Sequence, residues 1–72
     1  MKSNKYWMTP LKPRDDFVDK YDGEMIDGKT VYGPWANMTP KSWKKHGVGK
    51  LGRGFGQRYQ KQSDGKWLKI EG

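Results

Sequence analysis

A chain of 72 residues makes one domain with a small core, burying roughly 60% of the surface it exposes when unfolded. It has no cysteine, which excludes disulfides and thiolate zinc sites, and no apolar run approaches the roughly 20 residues of a membrane helix. Leu, Ile, Val and Phe total only ten and the net charge is +7, yet four tryptophans and four tyrosines can supply an aromatic core, so a folded domain is favoured over disorder.

The N-terminus, MKSNKYWM, lacks the apolar segment of a signal peptide, so the chain is expected in the cytoplasm. Pro10 and Pro13 force an extended or turning path and leave room for no more than a short strand at Lys5 to Met8. Residues 1–14 are expected as a flexible N-terminal arm and 15–72 as a single basic domain. In DDFVDKYDG, Asp15 and Asp16 suit the cap of one helical turn carrying Phe17, Val18 and Tyr21. EMI-DG-KTVY then reads as two strands around Asp27-Gly28, a pair suited to a type I′ hairpin turn. Gly33-Pro34 breaks the strand, and Trp35-Ala36-Asn37-Met38 approaches a helix start. Thr39 as N-cap, Pro40 at the first position and Gly47 as a left-handed stop predict a helix over 40–46, with Trp43 inward and Lys41, Lys44 and Lys45 outward. Five glycines between Gly47 and Gly56 exclude a helix or central strand there and predict a loop. QRYQKQ and KWLKIEG, joined by Ser63-Asp64-Gly65, predict a second hairpin. The expected fold is a small α+β domain with two hairpins, one short helix and a glycine-rich loop.

The charge is divided unevenly along this order. Residues 1–40 carry six cations and six anions, whereas residues 41–72 carry nine cations against Asp64 and Glu71. An excess gathered in one half points to an anionic partner, and nucleic acid stands ahead of a membrane because no helix is long enough to lie in an interface. Lys50, Arg53 and Arg58 surround Phe55 in the glycine stretch. There, bare backbone can approach phosphates, cations can neutralise them, and a ring can stack on an unpaired base. The plainer alternative is that Val48, Leu51 and Phe55 only anchor the loop. The candidate nucleic-acid contacts are Lys41, Lys44, Lys45, Lys50, Arg53, Phe55, Arg58 and Lys61.

Other motifs lead to no chemistry. Gly47-Val48-Gly49-Lys50-Leu51-Gly52 fits the dinucleotide pattern by letter, but it follows a helix and opens a strand, the reverse of the required polarity. His46 is the only histidine, placed to act as a cation at the helix C-terminus. Asp15, Asp16, Asp19 and Asp22 do not match a calcium loop and read as a solvated, self-repelling face. No catalytic residues, cofactor, metal or small-molecule substrate are predicted.

Met8-Thr9-Pro10 recurs as Met38-Thr39-Pro40 thirty residues later. A turn, a hairpin and a helix in that order follow the layout of treble-clef zinc folds, with Thr9, Lys12, Thr39 and Ser42 where thiolates would stand. Two unrelated Thr-Pro turns explain the repeat equally well. Residues 27–72, through the GPWANM, GRGFGQRY and DGKWLKIEG segments, resemble small, mostly phage-encoded proteins of unassigned function that look like zinc-binding treble-clef or ribbon domains. That resemblance implies a phage origin and a metal-free, treble-clef-like scaffold held by tryptophan packing, and it implies no activity. Two functions follow as expectations: a non-catalytic module contacting DNA or RNA through the helix and glycine loop, or an interaction module binding an acidic surface on a host enzyme.

Overall fold

The computed structural model describes residues 5–72. Four strands, β1 (Glu24–Lys29), β2 (Trp35–Met38), β3 (Gly56–Lys61) and β4 (Trp67–Glu71), form one antiparallel sheet in the order β2-β1-β3-β4. The single helix, α1 (Pro40–His46), leaves β2 directly. This is the α+β arrangement of two hairpins and one helix, with the two hairpins joined through β1 and β3 at the centre.

The first hairpin turns elsewhere than expected. Asp27 and Gly28 lie inside β1, paired with Asn37 and Ala36 of β2, and the reversal falls at 31–34, where Gly33 has φ 111°. There Thr30 N–H donates to the Pro34 carbonyl at 3.0 Å and its hydroxyl to the same oxygen at 2.7 Å. Gly28 belongs to the strand for a tertiary reason. A Cβ built on it would stand 2.5 Å from Cζ3 of Trp43, so only hydrogen lets the α1 indole lie on β1. The same displacement makes Trp35–Met38 a strand rather than the approach to a helix.

α1 begins as its local signals dictate. Thr39 is the N-cap, its hydroxyl oxygen accepting from Ser42 N–H at 3.1 Å, and Pro40 opens the first turn. Its end differs from the expectation: Gly47 is extended at φ −79° rather than left-handed. Glycine is needed there because a Cβ would collide with the Trp43 ring. Trp43 is thus clasped between two glycines, Gly28 and Gly47.

Side-chain alternation in β1 assigns the two sheet faces. Ile26 and Gly28 face α1, where Ile26, Met38 and Trp43 form the core with Phe17, Ala36, Val48 and Leu51 against them. Met25 and Asp27 face the other way, and fully buried Met25 pairs across with Tyr59. On this side Trp7 meets Tyr59 edge-on at 5.6 Å and Tyr21 meets Trp67 at 5.8 Å. Tryptophan packing therefore accounts for part of the interior only: Trp43 is buried, Trp7 and Trp67 are half-buried, and Trp35 is exposed.

Residues 5–14, the described part of the expected arm, join the domain; residues 1–4 lie outside the described residues. Trp7 N–H donates to the Trp67 carbonyl and Lys69 N–H to the Lys5 carbonyl, which extends the sheet beyond β4. At the opposite edge, Asp16 N–H donates to the Asn37 carbonyl and Asn37 N–H to Asp16 Oδ2. Both edges of the sheet are thereby covered by the N-terminal segment, which blunts edge-to-edge pairing with another chain.

Candidate functional site

The acidic cluster at 15–22 is structural. Asp15 is buried, and its carboxylate accepts from Phe17 N–H (2.9 Å), Asp19 N–H (2.8 Å) and Thr39 N–H (2.9 Å). Thr39 hydroxyl donates to Asp19 Oδ2. Burial alone raises the Asp15 pKa, but hydrogen bonds from the Ser42 side chain and from the Thr39, Asp19 and Phe17 backbone outweigh it and hold the carboxyl below its ordinary value. The result is a polar knot of Asp15, Asp19, Thr39 and Ser42 that ties the N-terminal segment to the start of α1. The expected solvated acidic face holds only for Asp16 and Asp22, which are exposed, while Asp15 caps a tight non-helical turn, accepting from Phe17 N–H with its side chain and from Val18 N–H with its carbonyl. Thr9 and Lys12 do not join it; they line a groove with Trp67.

The basic side begins on α1. At about 100° per residue, Lys41, Lys44 and Lys45 fan across the side of the helix opposite buried Ser42 and Trp43, and all three are exposed. Lys41 and Lys45 share a small hollow with Asp19, and Lys41 also lies beside Asp22 and Glu24. Lys44 lines neither of these carboxylate-bearing hollows. His46 is part of the packing: its ring stacks on Phe17 at 3.9 Å and 10°, and Nδ1 lies 2.8 Å from the Tyr32 hydroxyl. Both contacts join it to the N-terminal segment and the first hairpin turn.

The glycine loop leaves α1 pinned at both ends to β1. Val48 N–H donates to the Lys29 carbonyl and Lys29 N–H to the Phe55 carbonyl. A tight turn closes its tip, with Phe55 N–H and Gly56 N–H both donating to the Gly52 carbonyl. Val48 and Leu51 face the core, while Lys50, Arg53 and Phe55 face outward. Lys50 Nζ sits 4.2 Å from the centre of the Phe55 ring, a cation–π contact. The anchoring role thus belongs to Val48 and Leu51, and Phe55 is left with 36% of its surface exposed.

Two of the eight sequence candidates fall outside this face. Arg58 is half-buried in β3, its Nε 3.2 Å from Glu24 Oε1 in an ion pair without hydrogen-bond alignment, and its Nη1 3.5 Å from Glu71 Oε1. These are the only ion pairs among the described residues. Lys61 lies at the far end of β3, roughly 17 Å from the glycine loop at about 3.4 Å per strand residue. It neighbours Lys12, Lys20 and Lys66, which the sequence did not single out because they come from three separate stretches. The structure brings Lys50 over the Phe55 ring and leaves Lys44 on α1 and Lys50, Arg53 and Phe55 on the loop that follows it exposed, with Lys41 and Lys45 on the acidic margin.

Among the described residues no three of His, Asp and Glu gather as metal ligands, and no helix is long and apolar enough to cross a membrane. The arrangement offers cations, a ring and open backbone, a chemistry of anion binding. The chain matches no family model, no curated protein and no solved structure.

Proposed function

We propose that this chain is a non-catalytic binding module that takes DNA or RNA on the face made by α1 and the glycine loop. Lys44, Lys50 and Arg53 meet phosphates, Lys45 and Lys41 extend the field, and Phe55 offers a ring to an unpaired base. The observation that carries the reading is that these exposed cations have no carboxylate ion pair among the described residues, whereas the basic residue inside the sheet, Arg58, has two. Backbone pinning of the loop supports it further, since a loop ordered before binding loses less entropy on contact. Fluorescence anisotropy with labelled 20-nucleotide single-stranded DNA, RNA and duplex DNA at low salt tests the reading. Saturable binding to at least one is expected, and flat titrations against all three would overturn it.

The finer scaffold reading is part of the same proposal. Thr39 and Ser42, which the resemblance matches to thiolates, take part in a hydrogen-bonded knot with Asp15 and Asp19. We infer a treble-clef-like scaffold in which these bonds stand at the second ligand pair, with Thr9 and Lys12 displaced to the groove beside Trp67; the phage origin and the host cytoplasm rest on the sequence resemblance alone. A second function, docking on an acidic surface of a host enzyme, is favoured by one observation. Val31, Tyr32 and Trp35 are 60%, 65% and 43% exposed around the first hairpin turn, a patch of the kind that anchors interfaces. Flat nucleic-acid titrations together with a single stoichiometric partner lost in Trp35→Ala would establish that reading instead.

A further inference from the structure

An open groove of about 620 Å³ lies between the N-terminal segment and the β3–β4 turn, a volume within the range of small-ligand sites. Four exposed lysines line it, Lys12, Lys20, Lys61 and Lys66, and no carboxylate does. They converge from the proline-rich stretch, from the segment before β1 and from the two sides of the second hairpin. Four cations brought together without a counter-charge in the lining leave a positive potential that an anion relieves.

The same walls carry the indoles of Trp7 and Trp67. Each indole makes an edge contact with a tyrosine, Trp7 with Tyr59 and Trp67 with Tyr21, the latter a lining residue too, and these contacts restrain the rings. Nε1 of Trp7 is buried and has no acceptor among the described residues. Lysines alone suit any polyanion, and indoles alone suit any flat apolar ring. The two together in one groove suit a molecule that carries both groups.

We propose that this groove binds a nucleotide unit, its phosphate against the lysines and its base against the indoles. A free nucleoside phosphate and a nucleotide of a single strand share this chemistry, whereas a duplex keeps its bases stacked away from such walls. The groove stands apart from the α1–loop face, at the other end of β3, and does not depend on that face binding nucleic acid.

The test is a heteronuclear NMR titration of the full chain, following the indole N–H signals of Trp7 and Trp67. The probes are AMP, adenosine, inorganic phosphate and the oligonucleotide dA8, each alone. AMP is expected to shift both indole signals saturably, and to bind more tightly than either phosphate or adenosine. Lys12→Gln with Lys66→Gln should weaken AMP by about tenfold, the order expected for two charge-assisted contacts in open solvent. The triple variant K44Q/K50Q/R53Q should leave AMP affinity unchanged. Tighter binding of dA8 than of AMP at these indoles assigns the single strand as source, and equal or weaker binding assigns the free nucleotide. Equal affinity for phosphate and AMP, unshifted indoles, or an unchanged affinity in a folded K12Q/K66Q would overturn the proposal.

Discussion

Asp15 joins two distant parts of the chain through three backbone N–H donors, one of them on Thr39 at the N-cap of α1. An amide in its place has one acceptor oxygen and turns an N–H₂ toward groups that already donate. Asp15→Asn is therefore expected to cost about 2 kcal/mol, measured as a shift in urea midpoint at pH 7. The pH dependence follows from the lowered pKa. Because the folded value lies below the unfolded one, the stabilisation is present above the ordinary aspartate pKa of about 3.9 and is lost as pH falls through the folded value. The gap between the wild type and the variant should accordingly close in acid. A gap that stays constant down to pH 2 would assign Asp15 a purely steric role. Asp27 has the opposite sign: burial, then the charge of Asp16, push its pKa up. Its contribution is favourable below the ordinary value and lost as pH rises through the folded one, so it opposes folding at neutral pH where Asp15 supports it. Burial and the carboxylates of Asp15, Asp16 and Asp27 likewise push the Tyr21 phenol up, which keeps that ring neutral.

At the scale of elements, α1 is positioned by one side chain. Trp43 lies between Gly28 of β1 and Gly47 at the helix end, and neither position has room for a methyl group. Gly28→Ala and Gly47→Ala should each destabilise by about 2 kcal/mol through overpacking, although alanine is favoured over glycine in a strand and fits the backbone at φ −79°. Thermal unfolding checks this. A gain in stability in either variant, the result expected from backbone entropy alone, would show that the indole can move aside. These two glycines also explain which parts of the fold were legible. α1 was readable because Thr39 and Pro40, adjacent in sequence, signal its start locally. The second hairpin was readable because Ser63-Asp64-Gly65 sits between alternating strands. Asp27-Gly28 misled because a glycine that admits a ring fifteen residues away looks, in sequence, the same as a glycine that makes a turn. The polar knot was hidden for a related reason, since Asp15 and Thr39 meet only after the chain has passed through β1 and β2. Of the binding face, the cations on α1 and the loop were visible as a charge excess. The partnership of Arg58 with Glu24 was not, because it is a cross-strand relation set by β1–β3 register.

Across the whole molecule, charge is sorted by the fold more sharply than by the sequence. Asp15 and Asp19 are used in capping α1, and Glu24 and Glu71 in pairing with Arg58. Of the exposed lysines, most gather at two places, the α1–loop face and the groove beside the β3–β4 turn, while Asp16, Asp22 and Asp64 stay exposed elsewhere. The sheet separates them, with β3 running from one to the other, so substitutions on one face should act independently of the other. Salt dependence reads how many phosphates are neutralised, since each one on a single strand contributes about 0.7 to the slope of log affinity against log salt concentration, and variants of one face assign its share. The decisive measurement is that slope for a single-stranded 20-mer, compared among the wild type, K44Q/K50Q/R53Q and R58Q. Binding through α1 and the glycine loop predicts a slope shallower by about 2 in the triple variant and an unchanged slope in R58Q, whose charge is already paired within the sheet. Equal slopes in the wild type and the triple variant, or a loss in R58Q as large as in the triple, would contradict it.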